Sequence, residues 1–336
     1  MSILGTRVLR TEDPRFLTGT SIYGADLRDE RLEGALYAHF VRSDIAHGKL
    51  LSVDTDSARK APGVAAVYAA NDLLMLPIPP AMRPTETKMN RQPLAYDVVR
   101  FVGDPIAVVF ADTQAHAADA AELVEVDYEF LQAVVDPRDA RDGNVLLFPE
   151  TGTNVTVQHG YSKEPDTTLF DDCEVVLTQE VLNPRLAVVP LEGRSGACAW
   201  GEDGRLTIWT SNQGAQGAKK ELVLMLGLTA DKVRVITADV GGGFGAKAGA
   251  DAEYAIIAAA SRKLARPVRW HEDRTENLVG MTHGRGQIQT LTIGGSREGK
   301  IEAYRLDILQ DCGAYPRSGA VLPTMTRLMA PGVYDI

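Results

Sequence analysis

Short apolar runs alternate with glycine-rich and polar turns along the first 130 residues, which predicts short strands with few helices. The predicted strands cover residues 16–24, 34–43, 64–69, 106–110 and 124–128, and the predicted helices cover residues 52–61 and 114–123. Between positions 75 and 95 five prolines interrupt any periodicity, so a long loop is expected there. A loop of that length inside a compact domain often serves a function or an interface.

The rest of the chain mixes strands and helices. Residues 131–172 are rich in turn-forming residues and are predicted to connect two domains. Strands are predicted at 174–182, 205–210, 232–240, 268–271, 287–293 and 301–309, and helices at 215–226 and 251–264. This order predicts an α+β fold. The expected divisions are a lead at 1–18, a first domain at 19–135, a connecting segment at 136–172 and a second domain at 173–336.

Composition narrows the class of protein. The 336 residues are 45% hydrophobic and 24% charged, which is ordinary for a globular protein, and the formal net charge of −10 argues against nucleic-acid binding. With no apolar leader and no run of about 18 apolar residues, we expect a soluble cytoplasmic protein that is not attached to a membrane. Cys173, Cys198 and Cys312 lie far apart, which argues against a disulfide framework or an iron–sulfur cluster held by this chain.

The sharpest local motif is the run from Val240 to Lys247, which reads Val-Gly-Gly-Gly-Phe-Gly-Ala-Lys. It lies between a predicted strand and a predicted helix. Glycines at such a junction let backbone N–H groups approach a ligand closely, and the N-terminus of the following helix favours an anion. A tight turn with positive φ is the simpler interpretation of one glycine, but four glycines around a single aromatic residue favour a ligand-binding loop.

Two familiar phosphate-binding motifs fit this run poorly. Gly241, Gly243 and Ala246 satisfy the spacing of a dinucleotide fingerprint. That fingerprint follows a strand that is apolar on both faces, whereas residues 232–240 include two basic, one acidic and one hydroxyl side chain. A Walker A loop fails because Ala246 replaces its last glycine and Ala248 stands where Ser or Thr would hold magnesium.

Other catalytic signatures are missing from the sequence, which contains no GxSxG elbow and no HExxH helix. The six histidines show no spacing typical of a metal site, so packing or surface roles are expected for them. Glu192 and Arg194 flank Gly193, and we expect them to form an ion pair, either a structural one or one that lines a cleft.

The glycine-rich run resembles the GGGFG loop of the molybdopterin-binding subunits of xanthine dehydrogenases, aldehyde oxidases and aerobic carbon monoxide dehydrogenases. Thr210-Ser211-Asn212-Gln213 is similar to the Ser-Thr-Gln segment of that family. Gln213 precedes Phe244 by 31 positions, a separation that matches the family.

Further segments carry the resemblance along essentially the whole chain. In Pro190-Leu191-Glu192-Gly193-Arg194, Gly193 replaces a proline of the family motif. The other matching segments are residues 16–42, 42–47, 100–107, 311–315 and 332–336. The order of these motifs implies an α/β hammerhead domain followed by the first part of a molybdopterin-binding domain, which ends early relative to the family's large subunit.

The resemblance also implies a site. Gln213 would lie near the molybdenum ion, through its oxo ligand, and Gly242, Gly243, Phe244 and Gly245 would form the cofactor-binding loop. Phe244 and Glu192 would lie on the substrate side. In purine-oxidising members a glutamate follows the loop lysine, and Ala248 occupies that position here, which disfavours xanthine as the substrate.

The implied activity is hydroxylation of an aldehyde, an N-heterocycle or a similar carbon centre, or oxidation of CO, with water as the oxygen source. The implied cofactor is molybdenum–molybdopterin in its cytosine dinucleotide form. The implied partners are an iron–sulfur small subunit that carries 2Fe–2S, a medium subunit that carries FAD, and the C-terminal half of the large subunit. The catalytic base is expected beyond Ile336, so the chain alone is expected to have little turnover.

Two other interpretations remain open. The chain could be a split or remnant subunit that acts only in assembly, because the base and the second half of the cofactor site are not in this sequence. Alternatively, residues 241–246 could serve an NAD-dependent dehydrogenase as a dinucleotide loop, which nicotinamide-binding measurements would reveal.

Overall fold

A computed structural model describes residues 4–81, 86–158 and 166–334. In these ranges the strands are β1 Leu36–Arg42, β2 Gly48–Asp54, β3 Val64–Ala69, β4 Val98–Val99, β5 Pro105–Ala111, β6 Glu125–Phe130, β7 Val175–Leu186, β8 Ser195–Trp200, β9 Leu206–Thr210, β10 Val233–Ile236, β11 Val268–His271, β12 Gly284–Gly295 and β13 Ile301–Gln310. The helices are α1 Asp13–Leu17, α2 Asp56–Arg59, α3 Gln114–Ala121, α4 Pro137–Asp142, α5 Ala215–Leu226, α6 Ala252–Leu264, α7 Arg274–Gly280 and α8 Leu322–Met329. The mixture confirms the α+β class.

A seven-stranded mixed sheet forms the centre of the molecule, in the order β10-β9-β8-β11-β1-β5-β3. Strand β1 pairs with β5 in antiparallel fashion and with β11 in parallel fashion, with Leu36 opposite Val268. Strands from the first 111 residues therefore share one hydrogen-bonded sheet with strands from residues 195–271. Both of the predicted domains contribute to this sheet.

Two smaller sheets flank the central one. The sheet β4-β2-β6 packs its own small core around Val99 and Ile106, and the sheet β13-β12-β7 is built from long antiparallel strands. Strand β7 lies at the edge of its sheet, and several of its apolar side chains, including Leu177 and Leu182, are exposed.

Helix α6 covers the central sheet and is buried along most of its length. Its packing is close because the facing strand β8 carries small residues: a Cβ added to Gly196 would lie 2.9 Å from Cδ1 of Tyr254 and 3.0 Å from Cδ1 of Ile257. Trp270 on β11 is fully buried and makes edge contacts with the rings of Phe40 and Tyr254. This aromatic cluster joins β1, β11 and α6 in one core.

Most predicted elements are confirmed, several to the residue. The predicted bounds of β3, α5 and β11 coincide with those of the structure, and those of α3, β9, α6 and β13 differ by one or two residues. The predicted strand at 232–240 is shorter, since β10 ends at Ile236. Some predictions fall on residues outside the described ranges. These residues are 82–85, 159–165 and 335–336, and they include Pro84, His159 and the end of the last family-like segment.

Two predictions of local structure are wrong. Residues 16–24 form no strand. Helix α1 ends at Leu17, and the backbone of Ile22 bonds to Asp239 rather than to a neighbouring strand. Proline at the first turn of α1 was the overlooked helix signal. The predicted helix 52–61 begins only at Asp56, because β2 extends to Asp54. Strand β8 was not predicted at all.

Candidate active site

The glycine loop, residues 241–247, connects the edge strand β10 to the segment that leads into α6. Its backbone has positive φ at Gly242 (101°), Phe244 (51°) and Gly245 (89°). A positive φ at a bulky aromatic residue is uncommon and marks a backbone conformation that its surroundings enforce. The ring of Phe244 lies close to Gly242, where an added Cβ would be 2.8 Å from the ring, and the Phe244 side chain is 77% exposed.

Gln213 lies directly against this loop. Its side-chain Oε1 accepts a hydrogen bond of 2.8 Å from the Gly245 N–H, and its own N–H donates to the Lys247 carbonyl at 3.0 Å. A Cβ on Gly243 would lie only 2.5 Å from Cγ of Gln213. The approach follows from topology: β9 and β10 are neighbouring parallel strands, so the residues that follow them emerge at the same edge of the sheet.

Glu192 lies at the base of the loop. Its Oε2 accepts hydrogen bonds from the Gly241 N–H (2.8 Å) and from Nζ of Lys247 (2.9 Å). Its Oε1 accepts a longer bond of 3.3 Å from the Gly24 N–H. The substrate-side position of Glu192 stays a prediction, whereas these contacts place its carboxylate against the loop backbone.

The expected ion pair between Glu192 and Arg194 is wrong. Each of the two side chains finds a different partner. Glu192 pairs with Lys247, and Arg194 pairs with the three carboxylates of Asp251, Glu253 and Glu272.

The Arg194 guanidinium is the centre of a buried charge network behind the loop. Arg42 extends the network by binding Glu253 at 2.9 Å and Glu276 at 3.0 Å. Burial acts to raise the pKa of Glu253, but the positive charges of Arg194 and Arg42 outweigh it and lower that pKa to about 2. The Glu253 side chain is therefore ionised at neutral pH and locked between two guanidinium groups.

Four backbone N–H groups of the loop have no acceptor within the described part of the chain. They belong to Gly242, Gly243, Phe244 and Lys247, whereas the N–H groups of Gly241, Gly245 and Ala246 are all bonded. The side-chain Nε2 of Gln213 has no protein acceptor in the same residues. The loop thus offers a set of hydrogen-bond donors and no free carboxylate, which suits a ligand rich in acceptor oxygens.

Comparison with known proteins identifies the family. A model described as "Molybdopterin cofactor-binding domain" matches residues 147–336, and one described as "Aldehyde oxidase and xanthine dehydrogenase, a/b hammerhead domain" matches residues 18–132. The chain belongs to the molybdopterin-binding large subunits of the xanthine dehydrogenase family. The predicted resemblance and the predicted hammerhead-plus-molybdopterin-domain fold are confirmed.

Individual relatives of this family match the chain over most of its length. It is 37% identical, over all of its length, to the nicotine 6-hydroxylase large subunit of Paenarthrobacter nicotinovorans, and 36% identical, over 93% of its length, to the carbon monoxide dehydrogenase large chain of Afipia carboxidovorans. Quinoline 2-oxidoreductase from Pseudomonas putida 86 superimposes with a TM-score of 0.85 and 32% identity, over 91% of this chain and 39% of that one. The chain spans about two fifths of the curated relatives, 42% and 40%.

The residues present fit a molybdopterin group on the loop side of the sheet. In the described residues no three His, Cys, Asp or Glu side chains are grouped to hold a metal ion. Close packing of Gly243 on Gln213 keeps the donor set in place, because any larger residue would displace the glutamine. None of the described helices is long and apolar enough to cross a membrane.

Sequence reasoning named Gln213 and the loop as site residues, a prediction that still stands to be tested, and it assigned no role to several groups that lie around them. Lys247 and Gly24 both bond to the carboxylate of Glu192, and Asp239, two residues before the loop, accepts from the Ile22 N–H. The sequence did contain a signal for the partner of Lys247. A lysine that becomes buried at the end of a glycine loop needs a carboxylate to neutralise it.

Proposed function

We propose that this chain binds the molybdenum–molybdopterin cofactor as part of an oxidoreductase that hydroxylates a carbon centre with water, or oxidises CO. The observation that carries the proposal is the contact between Gln213 and the glycine loop, which gathers unpaired N–H donors next to an amide side chain. When bound, the cofactor supplies the hydroxylating and electron-accepting chemistry.

Different residues of this chain would bind the cofactor and contact the substrate. Gln213 and the N–H groups of residues 242–244 would hold the cofactor and orient its oxo group, while the Gly245 N–H would keep its bond to Gln213. The exposed ring of Phe244 would lie on the substrate side and limit the room available to a planar or small substrate.

The substrate class that we propose is an aldehyde or an N-heterocycle rather than a purine. Ala248 is exposed next to the loop and offers no carboxylate, whereas purine-oxidising members of the family carry a glutamate at this position. The names of the relatives, a nicotine hydroxylase and a quinoline oxidoreductase, are consistent with a heterocycle, and that of a carbon monoxide dehydrogenase keeps CO among the candidates.

We further propose that electrons pass to a 2Fe–2S small subunit and an FAD medium subunit, and that the cofactor is the cytosine dinucleotide form in a cytoplasmic complex. A second segment, equivalent to the other three fifths of the relatives, would complete the cofactor site and supply the base. The chain by itself would therefore show little turnover. No role with nucleic acid or membranes is proposed.

The test compares the chain alone with the chain co-produced with the family's remaining large-subunit half and both partner subunits. We expect molybdenum and pterin in the complex, and oxidation of an aldehyde, an N-heterocycle or CO with an artificial electron acceptor. Xanthine should not be oxidised. A complex that assembles and carries iron and flavin but neither molybdenum nor pterin would contradict the proposal.

Gly243→Ala sharpens the test at one position. Its new Cβ would lie 2.5–2.7 Å from the Gln213 side chain, so the glutamine must move and turnover should fall about a hundredfold. Gly217→Ala is the matched control: it lies in α5 with open space around it, and alanine should leave turnover unchanged while stabilising the fold by about 0.5–1 kcal/mol. Equal turnover in the two variants would argue against a role for the loop.

A further inference from the structure

Glu192 joins three separate segments of the chain through one carboxylate, and no catalytic role accounts for that arrangement. We propose that Glu192 is a positioning residue that closes the base of the glycine loop and fastens it to the N-terminal segment, residues 15–24. The proposal deepens the function proposed above, since it explains what fixes the shape of the donor set, but it concerns contacts that exist without the cofactor.

A single oxygen atom of Glu192 bonds both ends of the loop. Oε2 of Glu192 accepts from the Gly241 N–H at the first residue of the loop and from Nζ of Lys247 at its last residue. The backbone adds a return bond, because the Glu192 N–H donates to the Gly241 carbonyl at 3.1 Å. The two ends of the loop are therefore held together by a residue that lies 49 positions before its start.

Burial makes this contact electrostatically necessary. The Lys247 side chain has no exposed surface, and that of Glu192 is 16% exposed. Apart from Glu192, Nζ of Lys247 reaches the Gly193 carbonyl at 3.2 Å. A buried ammonium group needs a counter-charge, and Glu192 is the carboxylate bonded to it.

The third contact belongs to the N-terminal segment. The Gly24 N–H donates to Oε1 of Glu192, and the same segment is tied to Asp239, two residues before the loop. Asp239 pairs with Arg15, accepts from the Ile22 N–H at 3.0 Å, and donates its own N–H to the Ile22 carbonyl at 3.1 Å. The carboxylates of Glu192 and Asp239 therefore both hold this segment close to the start of the loop.

The backbone at Gly241 and Gly24 packs so closely on its neighbours that a larger side chain would not fit at either position. A Cβ on Gly241 would lie 2.6 Å from Cβ of Glu192, and one on Gly24 would lie 1.7 Å from Oγ of Ser195. The loop and the N-terminal segment are thus fitted closely around Glu192. Loss of its carboxylate should free residues 241–247 and the region of Gly24 together, although these segments are distant in sequence.

The experiment is hydrogen exchange by mass spectrometry on the full 336-residue chain, with unfolding temperatures measured in parallel. Glu192→Gln should speed exchange of peptides that cover 239–249 and 20–26 by about tenfold or more, because a charged acceptor is lost from both. Glu276→Gln is the control: it removes a buried carboxylate of the separate Arg42 contact, so it should lower the unfolding temperature without selective change in those two peptides.

A double variant separates positioning from charge balance. Glu192→Gln with Lys247→Met removes both charges, so the unfolding temperature should recover towards wild type while exchange in residues 239–249 stays fast. If exchange recovers together with the unfolding temperature, Glu192 only neutralises Lys247 and the proposal is overturned. Unchanged exchange in folded Glu192→Gln would overturn it as well.

Glu192→Asp covers the case in which the glutamine variant does not fold. It keeps the charge but is shorter by one methylene, so it should retain the ion pair and weaken the bonds to both Gly241 and Gly24. Faster exchange in both peptides supports the proposal, and wild-type exchange contradicts it. None of these outcomes depends on molybdenum content, so failure of this proposal leaves the test of the proposed function intact.

Discussion

Glu253 has no exposed surface and lies between two guanidinium groups, Arg42 at 2.9 Å and Arg194 at 3.2 Å. Such a carboxylate is favourable only while both partners stay charged, because an uncompensated buried charge is costly. At the scale of single residues, the buried network behind the glycine loop should therefore lose stability at low pH.

The pKa of Glu253 gives the direction of that sensitivity. It is about 2 in the folded protein against 4.5 for an unperturbed glutamate, so the group contributes stability above about pH 4.5 and loses it as pH falls towards 2. The contribution is on the order of 3 kcal/mol. We expect Glu253→Gln to cost about 3–5 kcal/mol at pH 7, and less as pH falls below 4.5.

Urea unfolding of both proteins between pH 7 and pH 3 measures this difference. Glu129→Gln is the control, since its exposed pair with Lys49 should contribute less than about 1 kcal/mol at any pH. A gap between wild type and Glu253→Gln that stays constant down to pH 3 would show that the carboxylate carries no shifted pKa.

At the scale of elements, β8 explains why a central strand escaped prediction. Its sequence, Ser-Gly-Ala-Cys-Ala-Trp, lacks the β-branched residues that favour strands. Five of its six residues are nevertheless buried, between β9 and β11 and under α6. Small residues are needed there because the helix packs closely, a requirement that arises only after folding.

Gly196→Val tests this explanation. Its Cβ would lie within 3.0 Å of the Tyr254 and Ile257 side chains, so α6 must shift, and we expect a loss of about 1–3 kcal/mol in urea unfolding. Gly284→Ala, at the start of β12, is the control, because nothing lies within 4 Å of the added Cβ. A valine variant as stable as wild type would mean that α6 is not held against β8.

At the scale of the whole molecule, the central sheet crosses the predicted domain boundary. Strand β1 lies between β11 and β5, so removal of residues 136–336 would expose one edge of β1 and the buried faces of Phe40 and Leu36. Two family models match separate regions of the chain, residues 18–132 and 147–336. Strands from both regions nevertheless pair in one sheet, since β1 bonds to β11.

We therefore expect a single cooperative unfolding transition for the chain. All three tryptophans, Trp200, Trp209 and Trp270, lie in the second region, so their fluorescence should change together with hydrogen exchange of β5 in the first region. A fragment of residues 1–135 should give no cooperative transition alone. Two separate transitions, or a folded fragment, would show that the regions are independent.

The sequence by itself determined the periodic elements and the glycine loop. Helices α5 and α6 and strands β3 and β11 follow from local apolar spacing and glycine or proline stops, which need no distant contact. Family resemblance added Gln213, whose place beside the loop follows once β9 and β10 are parallel neighbours. The roles assigned to Gln213 and Phe244 remain predictions.

Only the tertiary structure decided which charges meet. Glu192 is bonded to Lys247, 55 residues away, and to Gly24, 168 residues away, rather than to the neighbouring Arg194. Arg194 is drawn into a buried site with Glu253 and Glu272. The spacing of residues along the sequence does not predict such pairs. Each buried charge needs an opposite charge, and the order of strands in the sheet determines which one lies close enough.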